Sequence, residues 1–110
     1  MSAEDQQDIY RRFREAVNMA PAELERWLGR EESRSVGQKR GGNGESTGHE
    51  AGRRIVEVLR TKKSELSEAD YEHMRKVSGY VARHLKQRPS DPEHSRWRYS
   101  LMNWGHDPMK

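Results

Sequence analysis

Few side chains in this sequence have the type and spacing to do chemistry. Gly44-Glu45-Ser46-Thr47-Gly48 fits the G-x-S-x-G pattern of a nucleophile elbow, with His49 close by. An elbow serine needs a strand before it and a hydrolase sheet around it. Here a glycine-rich segment precedes it, so Ser46 or Thr47 reads as a helix cap, and neither catalytic residues nor an enzymatic activity is assigned. The same stretch is better suited to an anion. It has no Gly-Lys-Ser/Thr ending of a Walker loop, and Gly42, Gly44 and Thr47 miss the third glycine of a dinucleotide fingerprint. What remains is Lys39, Arg40, Gly41, Gly42 and Gly44 running into a helix start. The backbone N–H groups of Gly48, His49 and Glu50 there would carry partial positive charge. Arg53 and Arg54 lie one turn in, and Arg60, Lys62 and Lys63 continue the basic run. A flexible loop followed by a solvated helix face produces the same pattern, and both readings stand at this point.

Five histidines raise the question of a metal. His73 and His84 are eleven residues apart on one predicted helix, about 16 Å by helical rise, too far to share an ion. His49, His94 and His106 lack ligand spacing, and His49-Glu50 lacks the second histidine of a zincin. No metal and no cofactor is expected. Trp27, Trp97 and Trp104 fall at helix-face spacing and read as core volume rather than as exposed platforms for base stacking. The run RWRYSLMNWGHDP is denser in polar and aromatic residues than packing alone requires, and sequence offers no mechanism for it.

The elements that must position these groups are helical. Ser2 with Asp5 resembles a helix start, followed by Ile9, Phe13, Ala16 and Val17 on one face as far as about Asn18. Pro21 suits the first turn of a second helix with Leu24, Trp27 and Leu28 inward; Gly29 can end it, or Arg30 and the glutamates after it extend it. Residues 32–47 show neither a period of two nor one of 3.6 and read as a long glycine-rich loop. Thr47 with Glu50 makes a capping box for a third helix, with Ala51, Ile55, Val58, Leu59 and the stem of Lys62 on one face. Ser67 with Asp70 caps a fourth, stapled by Leu66 and Tyr71 and running through Met74, Val77, Val81 and Leu85 to a stop before Pro89. Trp97, Leu101 and Trp104 suggest a short last helix closed by Gly105. The expected fold is all-α. One domain spans residues 1–110, a compact bundle of four helices plus a short C-terminal helix, with a basic glycine-rich loop between the second and third.

Composition bounds the partners. Of 110 residues, 31% are apolar and 35% charged, with no cysteine and a net charge of +3. So thin an apolar share borders on disorder, but disorder also wants high net charge, so a folded domain with a small core is expected. Disulfides and thiolate sites are excluded. The apolar runs are far too short for a membrane span, and the acidic start MSAEDQQD is neither a signal nor a transit peptide, so a cytoplasmic protein is expected. The charge is uneven. Residues 1–35 carry six basic and eight acidic side chains, residues 36–63 seven and three, residues 64–88 five and four, and residues 89–110 three of each. The excess sits in one central segment, which speaks to partners rather than to fold.

The blocks SRSVGQK, GESTGHEAGRRIVEVLR, YEHMRKVSGYVARHLKQRP and WRYSLMNWGHDPMK resemble one small family of bacterial and fungal proteins, domain of unknown function three-one-four-zero. The likeness covers nearly the whole chain. It departs at Ala20, where a Thr or Ser cap would stand before the proline. The family brings no catalytic residues; its members often carry the label DNA-binding protein, which implies a nucleic-acid partner.

The expected function is therefore nucleic-acid binding, DNA before RNA, through backbone phosphates and with little sequence specificity. Lys39, Arg40, Arg53, Arg54, Arg60, Lys62 and Lys63 would supply charge, and Gly41, Gly42, Gly44 and Gly48 would let the backbone approach. No helix-turn-helix is legible, since the connection before the third helix is too long. The alternative is a protein-interaction or stress-associated accessory module whose core is completed by a homodimer or a protein partner. No membrane partner is expected.

Overall fold

The computed structural model describes residues 2–36 and 47–110. The described residues form six α-helices: α1 (Ala3–Ala16), α2 (Pro21–Leu28), α3 (Glu31–Ser35), α4 (Thr47–Arg60), α5 (Glu68–Leu85) and α6 (Arg96–Asn103). A 3-10 turn, Lys63–Glu65, links α4 to α5. There is no strand among the described residues. The all-α expectation is met. The helices pair off, α1 along α5 and α2 along α4, and α6 touches α2, α3, α4 and α5. The core of Phe13, Leu24, Ile55, Met74, Val77 and Leu101 runs through both pairs. Trp27, Trp97 and Trp104 are buried in it, as their spacing predicts.

Local chemistry explains most helix ends. Ser2 Oγ accepts from the Asp5 amide at 3.2 Å. Ser67 Oγ accepts from the Asp70 amide, and the Asp70 carboxylate accepts from the Ser67 amide at 2.9 Å, a full capping box. Of the two residues expected to staple that box, Tyr71 is buried in the core and Leu66 is partly buried against it. Ala20 has no capping hydroxyl, yet Glu23 Oε1 accepts from its amide at 3.1 Å, so half of the box survives the departure. Gly105 has φ +80, the left-handed conformation that closes a helix. Its amide reaches Met102 O and the His106 amide reaches Leu101 O, which satisfies two orphan carbonyls of α6.

Three boundaries differ from expectation. The first helix stops at Ala16, not near Asn18, because the amides of Asn18 and Met19 both turn to Gly105 O. A tertiary acceptor there outcompetes another helical turn. Residues 32–35, read as loop, belong to α3, whose one buried residue is Ser33. A five-residue helix with a single inward side chain leaves no periodicity to detect. Lys62 lies beyond the end of α4, in extended conformation and exposed, so its stem does not share the Ile55 face. Gly52 and Val56 are buried instead, which makes the apolar face of α4 wider than the sequence stripe.

Candidate nucleic-acid interface

Lys39, Arg40, Gly41, Gly42, Gly44 and Ser46 lie outside the described residues. Gly48, Arg53, Arg54, Arg60, Lys62 and Lys63 lie within them. Gly48 is buried: a β-carbon there would stand 3.3 Å from Trp104 Nε1 and 3.6 Å from Asn103 Cβ. Its missing side chain serves the contact between α4 and α6. His49 Nε2 bonds Leu28 O, so the first turn of α4 is also tied to α2.

The basic side chains are all exposed but point to different neighbours. Arg54 meets Asp70 at 3.5 Å, on the α5 side. Arg60 meets Glu25 at 2.9 Å, on the α2 side. Arg53 and Arg60, with Arg34 and His49, line an open groove of about 400 Å³ that also contains Glu25 and Glu57. Lys63 lies over the Tyr10 ring, 4.7 Å from its centre. Exposed pairs of this kind contribute at most about 1 kcal/mol, so an arginine can exchange its carboxylate for a phosphate at small cost.

A buried polar centre was not legible in the sequence. Asn103, the last residue of α6, is 1% exposed. Its Oδ1 accepts from Trp27 Nε1 at 2.8 Å and from Ser33 Oγ at 2.5 Å, and its Nδ2 donates to Ser33 O at 3.0 Å. One amide thus joins α2, α3 and α6. Nearby, Arg98 grips the Asp107 carboxylate with two bonds of 3.1 and 3.2 Å, and Asn18 exchanges two hydrogen bonds with the Asp107 backbone. Burial pushes that carboxyl up, but Arg98, the Met109 amide and the charge of Lys110 hold it below its usual range. Tyr80 stacks between Trp104 and His84, at 4.2 and 5.2 Å, and bonds Ser100. The polar and aromatic density of RWRYSLMNWGHDP is therefore a clasp that ties the C-terminal segment to α1, α2, α3 and α5.

Two half-buried histidines bind protons less readily than a free imidazole. Burial, with Arg54 and Lys76 nearby, pushes His73 down to about 4, against the pull of Asp70 and a backbone hydrogen bond at Ala51. Burial also lowers His84. Unfolding frees these rings to bind protons at their ordinary value of about 6.5. The unfolded state then holds more protons, so stability is full above about pH 6.5 and falls as pH drops towards 4. Denaturant midpoints between these pH values are expected to fall by the equivalent of about 2–3 kcal/mol, and His73→Gln to flatten the dependence. An equally steep pH dependence in that variant would remove His73 from the account. No three metal-ligating side chains come together among the described residues.

The surface of α5 carries cations that segment-by-segment counting obscured. Glu65, Glu68, Asp70 and Glu72 offset the basic residues of 64–88 in a sum, yet all four precede His73. From His73 to Ser90 the chain has Arg75, Lys76, Arg83, Lys86 and Arg88 and no acid.

The fold and this distribution of charge define an all-helical, basic domain with no helix long and apolar enough to cross a membrane among the described residues. Residues 12–102 match the family described as Protein of unknown function (DUF3140), and the chain belongs to that family. No curated protein and no solved structure matches the chain.

Proposed function

We propose that this protein binds nucleic acid in the cytoplasm, DNA before RNA, through backbone phosphates and without catalysis. The observation that carries the reading is the exposed set Arg53, Arg54, Arg60, Lys62 and Lys63 on α4 and the turn after it. It lies in the segment of greatest positive excess, residues 36–63, which also holds Lys39 and Arg40. Phosphate contacts of this kind position a protein on nucleic acid without reading its bases.

The test is the double change Arg53→Ala and Arg54→Ala. It should flatten the log–log salt dependence of duplex binding by about one to two units and weaken binding alike across sequences. The fold should persist, because both residues are exposed and the Ser67–Asp70 cap does not need Arg54. A folded double variant with the wild-type slope and affinity would remove these residues from the interface.

A second reading, a protein-interaction module, has its own observation. Ile9, Val81, Ala82 and Leu85 floor a groove of about 670 Å³ between α1 and α5, and Leu85 is 37% exposed. A module of that kind would show a melting temperature that rises with protein concentration and little salt-sensitive affinity for duplex DNA.

A further inference from the structure

We infer that the outer face of α5 is a duplex-binding surface, with Arg75, Lys76, Arg83 and Lys86 set along rows of backbone phosphates. The inference rests on the nucleic-acid reading above but assigns a surface that reading does not include. Met74, Val77 and Val81 turn α5 inward, and at about 100° per residue Arg75, Lys76, Gly79, Arg83 and Lys86 share the opposite side. All four cations are exposed. None makes an ion pair among the described residues, in contrast to Arg54 and Arg60. They span eleven residues of rigid helix, about 16 Å.

Helix electrostatics accounts for part of this pattern only. Cations favour a helix C-terminus, which explains Arg83 and Lys86 but not Arg75 and Lys76, two turns or more inside. The carboxylates that line the α1–α5 groove are Asp5, Asp8 and Glu15. Asp8 and Glu15 already hold Arg11, and Asp8 also holds Arg12. Gly79 keeps the stripe continuous, since a β-carbon there would stand 3.1 Å from Arg83 Nη1, where the guanidinium crosses the helix surface.

The partner follows from what else the surface has. Single-strand binding relies on exposed aromatic rings for stacking. All eight aromatic residues of this chain are buried or half-buried, among them Tyr80 and Trp97 beside the stripe. Met74, Val77 and Val81 of α5 are inside the core, and Leu85 alone is too small an exposed apolar surface to insert the helix into a lipid surface. A band of exposed cations along one side of a helix, without stacking groups, fits the regular phosphates of a duplex.

Two double variants, R75Q/K76Q and R83Q/K86Q, test this alongside R53A/R54A. Glutamine keeps helix propensity, and R75Q/K76Q also avoids the macrodipole contribution at the helix end. Binding to a duplex DNA of about 20 base pairs is followed between about 50 and 200 mM salt, with a single strand of the same length and polyglutamate as comparison probes. Each α5 double variant is expected to lose about two units of slope and roughly tenfold in duplex affinity, with an unchanged helical spectrum. Wild type should prefer the duplex to both other probes. If R53A/R54A flattens the slope and the α5 variants do not, the nucleic-acid reading stands and the α5 assignment falls. Tighter binding of the single strand or of polyglutamate also overturns the assignment. Absence of wild-type binding to any nucleic acid overturns both.

Discussion

Asn103→Ala is expected to unfold most of the domain, at a cost of about 3–5 kcal/mol. The side chain is buried, and its amide is the partner of Trp27 Nε1, Ser33 Oγ and Ser33 O. Truncation leaves an indole N–H, a hydroxyl and a carbonyl without that partner in a dry interior. Each unsatisfied group costs about 1–3 kcal/mol, and the vacated volume adds to the loss. A domain with so few apolar residues has on the order of 5–15 kcal/mol in total, so the loss is a large share of it. Asn103→Asp should be nearly as damaging. It places acceptors at both positions, so Ser33 O loses its donor, and when ionised it buries a charge. The measurement is denaturant unfolding of each variant. An alanine variant within about 1 kcal/mol of wild type would mean that the three-helix junction does not hold the fold together.

Gly52→Ala is the second large effect, and its sign decides it. In an exposed helix interior, glycine to alanine stabilises by about 1 kcal/mol. At Gly52 a β-carbon would stand 2.5 Å from Asn103 O and 2.8 Å from Leu28 Cδ2. The leucine can turn away, but the carbonyl belongs to the end of α6 and can move only with that helix. The expected outcome is destabilisation by about 2–3 kcal/mol, as for other overpacked cores. Gly48→Ala should cost less, because its closest approach is 3.3 Å to the Trp104 ring nitrogen. Thermal melts of the two variants give the order directly. A Gly52→Ala protein that melts above wild type would show that α4 and α6 pack less closely than their backbones indicate.

These two residues mark the boundary of what was legible in the sequence. The long helices were readable because each carries its own local signals. Ser67 with Asp70, Pro21, Pro89 and Gly105 act within a turn, and the Ile55 and Met74 stripes follow the helical period. The tryptophans were correctly read as core for the same reason. Asn103 gives no such signal. Its partners are 70 and 76 residues away, and one polar residue on a short helix looks the same whether solvated or buried. Gly52 did give a signal, since a glycine inside an apolar helical pattern points to close backbone approach. The short helix α3 was missed because five residues cannot show a period. The end of the first helix was misplaced because Gly105, far along the chain, captures the amides of Asn18 and Met19.

The proposed site was legible only as composition. The sequence places Arg53, Arg54, Arg60, Lys62 and Lys63 in one basic segment, but not on one face. Arg54 and Arg60 leave α4 towards different helices because six residues at about 100° each place them about 240° apart round the helix axis. The cations of α5 were hidden by the opposite error, a sum over a segment whose acids and bases occupy different turns. Helical phase, rather than segment charge, decides which cations can face one ligand.

The most direct test of phosphate binding is the affinity of the wild-type protein for a short duplex DNA as a function of salt. Binding that displaces counterions gives a straight log–log plot, with slope near −0.9 for each phosphate neutralised. With about two to four contacts from the α4 segment alone the slope is expected to lie between about −2 and −4, with the four α5 cations steepening it to between about −5 and −7, and to vary little between duplexes of different sequence. No measurable binding at about 50 mM salt, where electrostatic contacts are strongly expressed, would contradict the account. The basic surface would then have to be reread as one that meets an acidic protein.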